Sequence, residues 1–479
     1  MEVETDKFVQ SSRIAIQDAH LQKAIHKATS LSVRERDHAA AEVENWEELR
    51  ERARAIKGET IERLDEYLSL LADSVTRAGG IVHWARTGED AASYITDLAR
   101  ARGVKTVVKG KSMATEEIAL NERLEAVGVE PVETDLGEYV VQLAGEKPFH
   151  IIAPAIHKTR QDIGRLFSEH LGVEYEEDPE KLTKIARSRL RDAFCRADMG
   201  ITGVNFAVAE TGTIVVVENE GNGRLSTSLP PVYVALMGME KVIPTLEDLS
   251  IFLTLLPRSA TGQKASGYVS FLTGPRRPGE VGGPEEFHLV IMDNGRSRIL
   301  RDKEMRESLY CIRCGACLNI CPIYNKVGGH AYGWVYSGPI GAVITPQYVG
   351  LSKAKDLPAA STLCGACRDV CPLKINIPHM LLSLRHKIAE GVDDRGRKPK
   401  SRWTERAIVN LWATSMKSRQ AYHLASRFAA VAQRLYVRKG RISRLPSFLS
   451  GWTDHRDFPP LAPKPFRSLW KERLSKDGS

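Results

Sequence analysis

Cys311-Ile312-Arg313-Cys314-Gly315-Ala316-Cys317-Leu318-Asn319-Ile320-Cys321-Pro322 and Cys364-Gly365-Ala366-Cys367-Arg368-Asp369-Val370-Cys371-Pro372 are the two stretches that organise this 479-residue chain. Three cysteines at two-residue intervals wrap a tight loop, so their thiolates converge on three neighbouring metal corners. A fourth cysteine beyond the next turn points away from them. The proline after Cys321 and after Cys371 ends each loop and suits the first turn of a helix. Disulfides fit poorly, because they need close partners and an oxidising compartment. A zinc ribbon on Cys311, Cys314, Cys364 and Cys367 would leave Cys317, Cys321, Cys371 and both Cys-Pro steps unexplained.

The first stretch is a complete C-x2-C-x2-C-x3-C-P run, the bacterial ferredoxin signature; the second lacks its first cysteine. In two-cluster ferredoxins the fourth cysteine of each run ligates the other cluster. That rule gives cluster one Cys311, Cys314, Cys317 and Cys371, and cluster two Cys321, Cys364 and Cys367. Cluster two is one thiolate short, and the missing register falls on Ser361. Three outcomes stay open: a three-iron cluster, a four-iron cluster with Ser361 or another oxygen ligand, or a four-iron cluster with an open iron.

The length predicts two or three domains. With 42% hydrophobic and 27% charged residues, the composition is that of a globular protein. No run of about 18 apolar residues occurs, so no membrane span is expected, and the charged N-terminus predicts no secretory leader. Seven of the eight cysteines lie in the two runs, as in a reducing cytosol. The eighth, Cys195, is expected to be a buried or inert thiol. The net charge of +8 is uneven: residues 391–479 carry 20 Lys and Arg against 7 Asp and Glu, leaving −5 for the remainder. A basic tail can meet nucleic acid, an acidic membrane surface or an acidic protein. No helix-turn-helix, zinc-finger or RNA-binding signature accompanies it, so no nucleic-acid partner is expected.

Along the chain, residues 1–60 read as a solvated helical arm packing on the domain that follows. Residues 61–300 read as α/β, with helices such as Thr60–Ala78 and Asp90–Arg102 between short apolar runs. Those runs begin at Gly80, Thr106, Phe149 (Phe149-His150-Ile151-Ile152-Ala153) and Thr213, and Phe287–Asn294 adds a closing strand. Such alternation predicts a largely parallel sheet covered on both faces. Gly200–Val217 reads as strand, Glu210-Thr211-Gly212 turn, strand. Glu210 is a candidate carboxylate at a strand end, and the Glu220–Arg224 loop a candidate anion site. Lys109-Gly110-Lys111-Ser112 lacks the first glycine of a P-loop but keeps anion binding open. Residues 301–390 hold the cysteine runs. Between them, Gly328–Gly350 is expected to be a compact loop that also shapes a docking surface. Residues 391–400 read as a polar linker, Trp403–Val437 as two helices, and Gly451–Pro460 as an extended tail.

With these parts in order, Gly203-Val204-Asn205-Phe206-Ala207-Val208-Ala209-Glu210-Thr211-Gly212-Thr213 resembles the LUD (lactate-utilisation) domain, which is related to the ribose-5-phosphate isomerase/CoA-transferase-like fold. Joined to a two-cluster ferredoxin-like domain and a basic helical tail ending in Gly-Trp-Thr-Asp…Phe-Pro-Pro, the chain is similar to the LutB family over nearly its full length. The resemblance implies two 4Fe-4S clusters on the same seven cysteines, so the missing eighth thiolate is a family feature. It also implies a cytoplasmic electron-transfer subunit of a complex oxidising L-lactate to pyruvate and allowing growth on lactate. The implied partners are a cysteine-rich iron–sulfur-type protein and a second LUD-domain protein; the electron acceptor is unknown. No dinucleotide fingerprint occurs. The rival readings are a stand-alone 2-hydroxy-acid oxidoreductase, in which Asn205, Glu210 and Arg224 would touch the acid, and an iron–sulfur regulatory protein.

Overall fold

The computed structural model describes residues 3–391, 403–445, 449–454 and 456–477. The linker expected over 391–400 falls, beyond Gly391, outside them, as does His455 of the tail. The chain divides into two compact units, residues 1–399 and 400–479.

The first unit is built on ten strands: β1 (Ile81–Ala85), β2 (Thr106–Lys109), β3 (Glu130–Glu133), β4 (Met199–Gly203), β5 (Phe206–Val208), β6 (Thr213–Glu218), β7 (Val232–Gly238), β8 (Val242–Ile243), β9 (Tyr268–Leu272) and β10 (Glu286–Met292). Six form a sheet in the order β1-β10-β7-β4-β2-β3, with every neighbouring pair parallel. Every residue of β7 is buried, as a parallel strand covered on both faces should be. The other four form a second sheet, β8-β5-β6-β9. Here β5 and β6 make the expected antiparallel hairpin. Its turn needs Gly212: φ is +71°, and a Cβ would stand 2.6 Å from the Val75 amide nitrogen.

Phe149–Ala153 is not a strand. It is an irregular buried loop whose apolar side chains wedge against the cysteine-rich region. Tyr324 donates its hydroxyl to the Phe149 carbonyl at 2.9 Å. His150 accepts from the amides of Ile152 and Ala153 at Nδ1, so its Nε2–H donates to Asn319 Oδ1 at 3.1 Å.

The N-terminal helices are not a solvated arm. The helix Ala19–Ala41 and the helix Trp46–Glu62 bury basic side chains that reach main-chain carbonyls elsewhere. Arg36 donates to Val370 O, and Arg50 to Asp369 O and Cys371 O, at 2.7–3.2 Å. Lys57 donates to Glu240 O at 2.5 Å and to Val242 O at 3.3 Å. One helix thus ties the second cysteine run to the sheet, which explains basic residues in a segment that reads as polar surface.

Gly328–Gly350 is not a docking surface. It includes the turn His330–Tyr332 and the helix Gly338–Val349, and Tyr332, Trp334 and Tyr336 are buried. Cys195 is exposed near the end of the helix Pro179–Arg196, contrary to its expected burial.

The second unit contains the expected helices Trp403–Lys417 and Arg419–Ala432, a bridge pairing Ile442 with Phe458, and the helix Phe466–Asp477. No helix among the described residues is long and apolar enough to cross a membrane.

Candidate functional site

The cysteines gather in two groups. Cys311, Cys314, Cys317 and Cys371 line one small cavity of about 20 Å³, closed by Ile340, Leu373, Ile375 and Ile377. Three of the four are buried, and Cys311 is partly exposed. Gly315 (φ +77°) lets the loop turn over His150, whose ring carbon Cε1 would lie 3.2 Å from an added Cβ. Around Cys321, Cys364 and Cys367 the protein is more open. Cys364 is exposed, while the other two are buried and electrostatically in range of it.

Burial pushes the thiols of Cys314, Cys317 and Cys321 upward, Cys367 to about 12 and Cys371 to about 11. Cys364 moves the other way, lowered by the Ala366 amide and the Thr362 hydroxyl. Main-chain amides already aim at sulfur: Arg313 N–H lies 3.4 Å from Cys311 Sγ and Tyr324 N–H 3.5 Å from Cys321 Sγ. Buried sulfurs that gain nothing as free thiols, with amides directed at them, fit a group that binds thiolates and accepts hydrogen bonds, as iron–sulfur clusters do. Ser361, at the missing register, accepts from the Leu363 amide at 3.1 Å.

Against the first group lies a larger cavity of about 360 Å³. It opens at the carboxyl ends of β2, β4 and β7, where parallel α/β sheets place ligands. Ile312 and Arg313 line both cavities, so the partition between them is one stretch of loop. Its wall is a buried ionic network. Arg296 forms a fork with Glu117 (3.0 and 2.9 Å) and donates through Nε to Glu240 at 2.6 Å. Tyr336 donates to Glu117 at 2.7 Å, and the Arg313 guanidinium lies 4.9 Å from the Tyr336 ring centroid. Burial opposes the charge of Glu240, but Arg296 and Arg313 hold its carboxyl down at about 2. Burial lowers Lys57 to about 7; it also lowers Lys241 to about 8, with Arg313 adding to the effect. Gly238, at the end of β7, has no room for a Cβ beside the Glu240 carboxylate and the Arg296 guanidinium.

Of the residues singled out for an acid site, only Asn205 reaches this cavity, and its Oδ1 is engaged by the Val217 amide at 2.9 Å. Glu210 is exposed and accepts from the Leu246 amide at a helix start. Arg224 stacks on Tyr268, 5.2 Å from the ring centroid. The Glu220–Arg224 loop does hold an anion, but it is the protein's own: Glu218 accepts from the amides of Gly223 and Arg224 at 2.6 and 2.7 Å. In the Lys109–Ser112 loop, Lys109 is buried against Glu133 at 2.5 Å, Lys111 donates to Ile152 O, and Ser112 caps a short helix. The network residues Glu117, Glu240, Lys241 and Arg296 escaped sequence reading because they lie on four separated segments with no shared spacing.

Three family profiles tile the chain: the LUD domain over residues 68–292, the 4Fe-4S dicluster domain over 307–375, and the C-terminal domain of lactate utilisation protein B over 383–475. Lactate utilization protein B of Bacillus cereus (strain AH820) is 45% identical over 472 residues, 98% of each chain. The proteins of that name from Bacillus thuringiensis (strain Al Hakam), and lactate utilization protein B 2 of Bacillus mycoides (strain KBAB4), match as closely, at 45%. The chain belongs to the lactate utilisation protein B family. Members of this family join a LUD α/β domain to an iron–sulfur domain, and both are present here. A crystal structure of a DUF162 family protein from Deinococcus radiodurans covers 48% of this chain and 98% of its own, at 13% identity and a TM-score of 0.27, too low for comparison of sites.

Proposed function

We propose that this chain is the iron–sulfur electron-transfer subunit of a cytoplasmic complex that oxidises L-lactate to pyruvate. Its partners would be a cysteine-rich iron–sulfur-type protein and a second LUD-domain protein. Cys311, Cys314, Cys317 and Cys371 would hold a first [4Fe-4S] cluster; Cys321, Cys364 and Cys367 would hold a second, with Ser361 or another non-cysteine group as fourth ligand, or a three-iron cluster. The observation that carries this reading is the joint lining of one buried cavity by the first four cysteines, drawn from runs some fifty residues apart, within a matched dicluster domain. The lactate assignment draws on relatives named for lactate utilisation.

Bound iron–sulfur clusters supply one-electron transfer. The protein's part is to bind, tune and exclude. Seven thiolates anchor the iron, and amides such as Arg313 N–H and Tyr324 N–H offset sulfide charge, which raises the reduction potential. Ile340, Ile375 and Ile377 exclude water from the first site. Cys364, exposed, marks the side on which an acceptor can approach the second.

The test is anaerobic. Iron and sulfide are counted and EPR spectra recorded before and after dithionite; L-lactate is then added with both partners present. About eight irons, with reduced signals that lactate also elicits, are expected. Zinc, or no metal after strictly anaerobic handling, would overturn the cluster reading. Dithionite-reducible clusters that lactate and partners never reduce would overturn the role in lactate oxidation.

A further inference from the structure

We propose that the cavity at the carboxyl ends of β2, β4 and β7 is the seat of a small monocarboxylate, a 2-hydroxy or 2-oxo acid, held by Lys241 and Arg313 against the loop of the first cysteine group. The choice of acid class rests on the reading above; the anion seat rests on the cavity itself.

The argument begins with charge. Two carboxylates, Glu117 and Glu240, stand in the buried network of this wall, and both are committed to Arg296. Arg313 is 9% exposed, has its Nη2 3.6 Å from Glu240, and has a buried Nη1 with no hydrogen-bond partner. Lys241 lines the cavity with no hydrogen-bond or ion-pair partner among the described residues. Buried or half-buried cations lacking counter-charge are costly unless a ligand completes them. Arg313 also lines the small cavity, so a bound cluster would take up part of its charge. Lys241 lines only the large one.

The chemistry of the ligand follows from the rest of the lining. A guanidinium fork and an ammonium suit a planar carboxylate. Asp135, Glu218 and Glu220 line the same cavity and disfavour a second negative charge on the ligand. The amides at the start of the helix Asn222–Ser228, the obvious phosphate site, are already satisfied by Glu218. Ile151, Ile152, Val204 and Met237 leave apolar surface for a short carbon chain. The acid would then be separated from the first cysteine group only by Ile312 and Arg313.

The experiment uses the full chain, purified anaerobically with its iron. L-lactate and pyruvate are titrated calorimetrically, with L-lactamide and inorganic phosphate as probes lacking the carboxylate. Both acids should bind and lactamide should not. Lys241→Met should weaken the acids at least about tenfold, with iron content and EPR unchanged, and Lys241→Arg should restore binding. If Lys241→Met loses iron, Lys241→Gln replaces it under the same criterion. Acid binding unchanged in the iron-replete variant, equal binding of lactamide, preference for phosphate, or no acid binding at tens of millimolar would each overturn the proposal. Cluster reduction by lactate with partners, without acid binding to this chain, would sink this seat and leave the electron-transfer role standing. Acid binding without such reduction would do the reverse.

Discussion

The two cysteine groups share a motif but not an environment. The first is enclosed by isoleucines, roofed by Gly315 on His150, and backed by the Arg296 network. The second ends in an exposed cysteine whose thiol is lowered, not raised. Identical spacing therefore says little about redox character, which depends on burial and nearby charge. The enclosed group adjoins the cavity, and the open group faces solvent, an arrangement suited to receiving electrons inside and delivering them outside.

The largest effect should come from Cys317→Ser, which removes a buried ligand from the enclosed group. Iron analysis should show loss of about half the iron, with one of two reduced EPR signals gone. Cys364→Ser, at the open edge, should spare the enclosed signal. If both variants lose the same signal, the division into two groups is wrong.

Next in size is the wall between cavity and cluster loop. Glu240→Gln leaves Arg296 and Arg313 short of a counter-charge and should destabilise the chain by about 3–5 kcal/mol in urea unfolding. Arg50→Met removes hydrogen bonds to the carbonyls of Asp369 and Cys371 and should cost about 2–3 kcal/mol. It should also speed iron loss to chelator.

A pH dependence follows from His150. Burial, with Lys111 adding to it, holds the imidazole at about 3, against an ordinary value near 6.5. The unfolded chain therefore binds a proton that the folded chain refuses between these values. Stability should be retained above about pH 6.5 and fall by up to about 1.4 kcal/mol per unit below it. His150→Gln should flatten that slope when urea midpoints are compared at pH 7 and pH 5.5. An unchanged slope would place the acid sensitivity elsewhere.

What the sequence disclosed is what depends on local spacing. The cysteine loops, the β5–β6 hairpin and the alternation of strands with helices are written in short windows of residues. Phe149–Ala153 shows the limit: a five-residue apolar run buries equally well as strand or as wedged loop, and periodicity cannot separate them. Arg50 and Lys57 look like surface charges until the carbonyls they reach are in place. Glu210 and Arg224 looked functional because they flank a glycine-rich turn, yet one caps a helix and the other stacks on a tyrosine. The cavity had no linear signature at all, since three strand ends and a loop from the iron–sulfur domain meet only after folding.

The smallest effect is the most discriminating for the open group. Ser361 accepts from the Leu363 amide, a local turn contact that many serines make without binding metal. If it has only that role, Ser361→Ala should change stability by no more than about 0.5 kcal/mol and leave the iron count intact. If its oxygen holds the fourth iron, the same change should convert a four-iron signal into an oxidised three-iron one. Ser361→Cys then sharpens the contrast. A thiolate at this register would complete the second run, and the open group should survive air exposure longer than in the unaltered chain, approaching the enclosed one. No gain in air survival would mean that exposure at Cys364, rather than the missing ligand, sets the lability of this site.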